Sequence, residues 1–196
     1  MVDTDIIVLT TNTGQKIRIL VPDEYDRILG VIKKPHLKTL FRIAFFTGMR
    51  YSEILRFYTH PEWVMPNRGY IYLDRQAQLK VKRTTPERYI PIAPQIAGEL
   101  PYFFKNTKPP TRKVWGENLK RWAIEAELSP VGIVPKLTRA SIESWMVVFG
   151  MPLNEICQRQ GHDGITSLKH YQGLAFKTGE IYDIKQRLSG WSQINS

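Results

Sequence analysis

Four short stretches of this 196-residue chain combine residue types and spacings that could handle a phosphate group. In the first, Thr47-Gly48-Met49-Arg50-Tyr51-Ser52-Glu53, an arginine follows a glycine break and opens a helix. Exposed amides at a helix start favour an anion. A guanidinium beside them can grip phosphate through two parallel hydrogen bonds. The same spacing also suits an ordinary Arg50–Glu53 surface pair. In the second stretch, Pro135-Lys136-Leu137-Thr138-Arg139, two cations share one helix face. They could hold a phosphate between them, or form a solvated face.

The third stretch places Gly161-His162 nine residues before Tyr171, counted from the histidine. On one continuous helix that separation, about 2.5 turns, would put His162 and Tyr171 on opposite sides. Gly161 and Gly164 instead place His162 in the loop before the helix, free to fold back toward Tyr171. Taken singly, the histidine suits a structural hydrogen bond and the tyrosine the edge of a core. The fourth stretch, Lys80-Val81-Lys82-Arg83-Thr84-Thr85-Pro86-Glu87-Arg88, is a basic turn between two candidate strands. It is either an exposed charged hairpin or a finger that reaches into a groove.

Positioning these side chains takes a mainly helical scaffold. Two β-branched runs, 6–10 and 17–21, predict a hairpin. Pro22-Asp23-Glu24 opens a helix, with proline in its first turn and acids at its positive end. Further helices are expected at 36–46 and 51–58, then strands at 70–73, 78–82 and 88–92. A helix from Pro94, kinked at Pro101, leads to another at 112–127 with an apolar stripe of Trp115, Leu119, Trp122 and Ala126. Helices at 137–149, 152–160, 165–172 and 178–189 follow, punctuated by Gly150, Gly161, Gly173 and Gly179. Ile181, Ile184 and Leu188 of the last helix could pack in cis or in trans. The expected class is mainly α with a small antiparallel β-sheet, an α+β arrangement.

Composition narrows the partners. Lys and Arg number 28 against 18 Asp and Glu, a formal excess of +10 that is gathered in residues 31–140. Such an excess favours a polyanion. The single cysteine, Cys157, permits no internal disulfide, and a small buried residue is expected there. With four histidines and that lone thiol, a structural zinc site is not expected. No apolar run is long enough for a membrane span, and the first residues lack the pattern of a signal peptide.

Together, these stretches resemble the tyrosine recombinase (phage integrase) family. Thr47–Glu53 is similar to its first arginine box. Arg83–Pro91 resembles its basic hairpin and the strand that follows. Lys136–Arg139 stands at its second box, and Gly161-His162 with Tyr171 at its terminal box and nucleophile. The resemblance covers residues 20–185. It implies one catalytic domain over 1–196, with too few residues before Pro22 for the family's N-terminal core-binding domain. Two positions depart from the pattern. Lys136 stands where most members have histidine, a substitution similar to that of archaeal fusellovirus-type integrases. The usual hairpin lysine falls on Arg83, one residue from Lys82; Lys82 is preferred, with Lys80 next.

The resemblance implies site-specific cleavage and rejoining of double-stranded DNA through a 3′-phosphotyrosine, with no metal, ATP or other cofactor. Its catalytic residues would be Arg50, Lys82, Lys136, Arg139, His162 and Tyr171, with Glu53 bracing Arg50 or Arg139. Arg75, Lys80, Arg83, Arg88, Arg112, Lys113, Lys120 and Arg121 are the expected DNA-binding residues. His170 and Tyr182 are neighbours without a role. A homo-oligomer on DNA, a tetrameric synapse, is implied, acting in the cytoplasm. Relaxation in the manner of a type IB topoisomerase, or DNA binding without catalysis, would use the same surface.

Overall fold

The computed structural model describes residues 6–11, 13–74, 87–161 and 174–191. The chain begins with a hairpin, β1 (Ile7–Thr10) and β2 (Lys16–Ile19). Three helices follow: α1 (Pro22–Val31), α2 (Pro35–Thr47) and α3 (Tyr51–Phe57). A three-stranded antiparallel sheet comes next, in the order β3 (Val64–Met65), β4 (Tyr70–Leu73), β5 (Arg88–Pro91). Among the described residues the remaining helices are α4 (Pro94–Ala97), α5 (Leu100–Asn106), α6 (Arg112–Glu125), α7 (Leu137–Phe149), α8 (Leu153–Gln160) and α9 (Thr178–Leu188).

Helix boundaries follow local chemistry. Prolines occupy the first turns of α1, α2, α4 and α5, where their missing N–H costs nothing. Pro101 therefore starts α5 and does not kink a longer helix. Thr111 caps α6 by accepting from the Val114 amide. The expected strand at 78–82 and helix at 165–172 lie outside the described residues. Strand β3, flanked by single 3₁₀ turns at Pro61–Trp63 and Pro66–Arg68, was not expected; it is too short to show an alternation.

The core forms around α2, which is buried on nearly all sides and packs against α4, α5 and α7. Its Phe41 and Phe45 meet Tyr25 of α1 and Trp145 of α7, with ring centroids 4.5–6.5 Å apart. Trp115 and Trp122 of α6 join the same core, Trp115 stacked on Tyr51 at 5.1 Å. Such aromatic pairs add about 0.5–1.5 kcal/mol each beyond their burial.

Helix α9 packs in cis, on α7 and α1, with Ile184 and Leu188 buried. Arg187 pairs with Asp26, and Trp191 beyond the helix donates to Gln95 Oε1. Cys157 is half-buried, more open than expected. Among the described residues no helix is long and apolar enough to cross a membrane.

Candidate active site

The site is built on two helix C-termini. Helix α2 ends at Gly48 and α8 at Gly161, both left-handed with φ of 62°. The last carbonyls of a helix lack partners within it and carry partial negative charge. Four arginines supply the missing donors. At α2, Arg159 Nη2 donates to the Phe46 carbonyl at 2.7 Å and Arg139 Nη1 to that of Gly48 at 2.8 Å. At α8, Arg88 Nε donates to the Arg159 carbonyl at 3.0 Å. Arg139 Nη2 donates to Gln160 O, and Arg50 Nη2 to Gly161 O at 3.2 Å. Arg50 and Arg139, far apart in sequence, thus converge on the same two segments.

Glu53 of α3 lies at the centre, 1% exposed. Each of its oxygens serves two donors. Oε1 accepts from Arg50 Nη1 at 2.8 Å and Arg88 Nη1 at 3.0 Å. Oε2 accepts from the Arg50 amide at 2.7 Å and Arg88 Nη2 at 2.8 Å. Burial pushes the carboxyl's pKa up, but the charge and hydrogen bonds of Arg88, with the Arg139 and Arg50 cations, hold it down at about 2.

Arg139 is pulled the other way. Desolvation and the adjacent Arg50 cation lower its pKa to about 10, against the pull of Glu53 and Glu143. It stays charged near neutrality. Arg159, 4% exposed, is lowered to about 9 by burial, and its guanidinium lies 4.1 Å from the Trp191 ring centroid. Among the described residues, Arg139 and Arg159 hydrogen-bond only to carbonyls. The cluster therefore keeps an excess of positive charge, with Arg50 still 40% exposed, which suits the reception of an anion.

The other expected residues are placed as follows. Lys136 is exposed at the N-terminus of α7, one turn before Arg139. Arg112, Lys113 and Lys120 are exposed and line an open groove between α6 and residues 133–135, next to Lys136. Arg121 is exposed and turned toward Asn118 and Glu125. Arg88, expected at the DNA surface, is buried at 3% exposure and committed to Glu53. Its strand position explains this: Arg88 alternates inward with Ile90, while Tyr89 faces out. Arg75, Lys80, Lys82, Arg83, His162 and Tyr171 lie outside the described residues. Arg159 and Gln160 escaped sequence reasoning, because among polar neighbours they resemble a solvated helix face.

No protein-family model matches the chain, nor does any curated protein. Three solved structures do. Two are of the Tn1549 transposon integrase. The complex with transposon right end DNA is 18% identical with a TM-score of 0.64 and matches 87% of this chain. The complex with a circular intermediate DNA is 16% identical, also at 0.64, over 95% of this chain. The third, the crystal structure of XerA recombinase, is 14% identical with a TM-score of 0.60 over 91%. The chain spans about two thirds of the length of these structures, 66%, 67% and 63% respectively. The fold in which the arginines converge is that of the tyrosine-recombinase catalytic domain.

Proposed function

We propose that this domain cleaves and rejoins double-stranded DNA at specific sites through a tyrosine-linked intermediate. The observation that carries the reading is the convergence of Arg50 and Arg139 on Gly48, Gln160 and Gly161, immediately before His162. Tyr171 Oη attacks the scissile phosphorus. A P–O bond forms to the tyrosine as the bond to the 5′-oxygen breaks, leaving a 3′-phosphotyrosine and a free 5′-hydroxyl. Rejoining reverses the step with a 5′-hydroxyl from the partner strand, so bond energy is conserved.

The non-bridging oxygens gain charge as the phosphorus becomes five-coordinate. Arg50 and Arg139 offer preorganised, permanently charged donors for them. Lys82 donates the proton to the leaving 5′-oxygen, Lys136 assists proton movement at the phosphate, and His162 steadies Tyr171. Glu53 keeps Arg50 oriented. Lys136 is also the residue that ties the proposal to archaeal fusellovirus-type integrases. The exposed cations of α6 hold the DNA backbone. On DNA the protein assembles as a homo-oligomer, a tetrameric synapse, in the cytoplasm.

The test is covalent trapping on a pool of nicked duplexes, with mass mapping of the modified residue. Wild type should yield an adduct at Tyr171 that Tyr171→Phe abolishes. Arg139→Ala should slow adduct formation by about 10²–10³-fold, the usual loss for one such donor. An adduct undiminished in Tyr171→Phe would overturn the assignment.

A further inference from the structure

We infer that Arg88 is a positioning residue for this site, locking Glu53, Arg50 and the Gly161 turn into one unit with strand β5. The inference rests on the cleavage reading above and adds a residue to it.

Three observations carry it. The first is hydrogen-bond saturation. Arg88 presents both Nη atoms to the two oxygens of Glu53 and its Nε to the Arg159 carbonyl. Each Glu53 oxygen shares its remaining capacity with one nitrogen of Arg50. The carboxylate is thus a plate with Arg88 bolted to one side and Arg50 to the other. Rotating it to follow a displaced Arg88 would carry Arg50 along.

The second is steric. A β-carbon at Gly161 would stand 2.8 Å from Arg88 Nη1, 3.0 Å from Cδ and 3.1 Å from Cζ. The Gly161 backbone therefore lies directly against the guanidinium. Its carbonyl receives Arg50 Nη2. Arg88 thereby supports Arg50 by two routes, through Glu53 and through Gly161.

The third is topological. Arg88 pairs with Leu73 at the end of the β4–β5 ladder, and residues 74–87 join the two strands there. That connection carries Lys80, Lys82 and Arg83. One buried side chain therefore joins the end of the β4–β5 ladder, the first arginine segment and the Gly161 turn. Lysine could not replace it. An ammonium lacks the planar fork that serves two carboxylate oxygens and a third acceptor together.

A plain structural ion pair would account for the burial alone, so the test must read more than stability. Arg88→Lys should stay folded by thermal melting and bind duplex DNA within about threefold of wild type. Its adduct formation on nicked duplex should fall by about 10²-fold, the scale of a small misplacement of a catalytic group. Its acid limb should also lie at higher pH than that of wild type, because Glu53 loses the paired Arg88 hydrogen bonds that, with the Arg50 and Arg139 cations, hold it ionised. The paired variant Arg88→Gln with Glu53→Gln removes both charges of the buried pair together, and keeps the question answerable if Arg88→Lys does not fold. It should remain slow, since Arg50 has no carboxylate to orient it.

Arg88→Lys cleaving at the wild-type rate with an unchanged pH profile overturns the inference alone. So does recovery of the full rate in the paired variant. Wild type that forms no adduct overturns the cleavage reading, and this inference with it.

Discussion

The guanidinium of Arg88 occupies the space that a side chain at Gly161 would need. Gly48 stands in the same relation to the Gln160 amide, whose Nε2 would overlap a β-carbon there. Both glycines have φ of 62°, so alanine at either adds about 1–2 kcal/mol of left-handed strain. The neighbours differ. Arg88 is fixed by three hydrogen bonds, whereas the Gln160 amide makes none among the described residues. Gly161→Ala should therefore cost about 2–4 kcal/mol and Gly48→Ala less, because displacing Gln160 breaks no bond. Urea unfolding of the two variants checks the order.

Gln160 is 0% exposed, with both amide atoms buried and unpaired. A buried polar group without a partner costs about 1–3 kcal/mol. Its backbone carbonyl, which holds Arg139, does not depend on the side chain. Gln160→Leu, similar in volume, should raise stability by about 1 kcal/mol. A calorimetric melting temperature below that of wild type would count against the buried, unsatisfied amide.

Much of this architecture was legible in the sequence, for a physical reason. Helix starts and stops depend on local chemistry, so Pro22, Gly48, Gly150 and Gly161 mark their boundaries in sequence as they do in space. The resemblance implies a shared site for Arg50 and Arg139, and both meet the segment before residue 162. What failed was the reading of charge as surface. By charge alone Arg88 reads as an exposed cation, whereas the alternation Arg88-Tyr89-Ile90 puts it on the face of Ile90. Arg159 failed likewise, because its ring partner Trp191 and its carbonyl partner Phe46 are remote in sequence. Partners supplied by tertiary structure leave no local trace.

The cations of α6 divide by geometry. Arg112, Lys113 and Lys120 face an open groove, while Arg121 is held by Asn118 at 2.9 Å and approaches Glu125 at 3.6 Å. If the groove carries a DNA strand, alanine at each of the first three should lower the salt dependence of duplex binding by about one unit of slope. Arg121→Ala should change it less. Fluorescence anisotropy on a labelled duplex over a salt series separates these outcomes. Equal slopes for all four variants would place the strand elsewhere.

Glu53 gives the fold a defined acid limit. Its pKa is held at about 2, below the ordinary 4.5, despite burial that opposes ionisation, because Arg88, Arg139 and Arg50 surround it. A carboxylate with a lowered folded-state pKa contributes stability above its unfolded pKa and loses it as pH falls through the folded value. The window is therefore about pH 4.5 down to about pH 2. A shift of this size corresponds to about 3 kcal/mol. Glu53→Gln keeps the shape but leaves the Arg88 cation buried without a counter-charge, which should also cost about 3–5 kcal/mol at neutral pH. The wild-type and variant stabilities should converge as the pH approaches 2, since a protonated Glu53 and the neutral amide of the variant carry the same charge. Denaturant unfolding at a series of pH values follows that difference. A gap between the two proteins that stays constant from pH 7 to pH 2 would show that packing, not the ionised pair, sets the stability of this cluster.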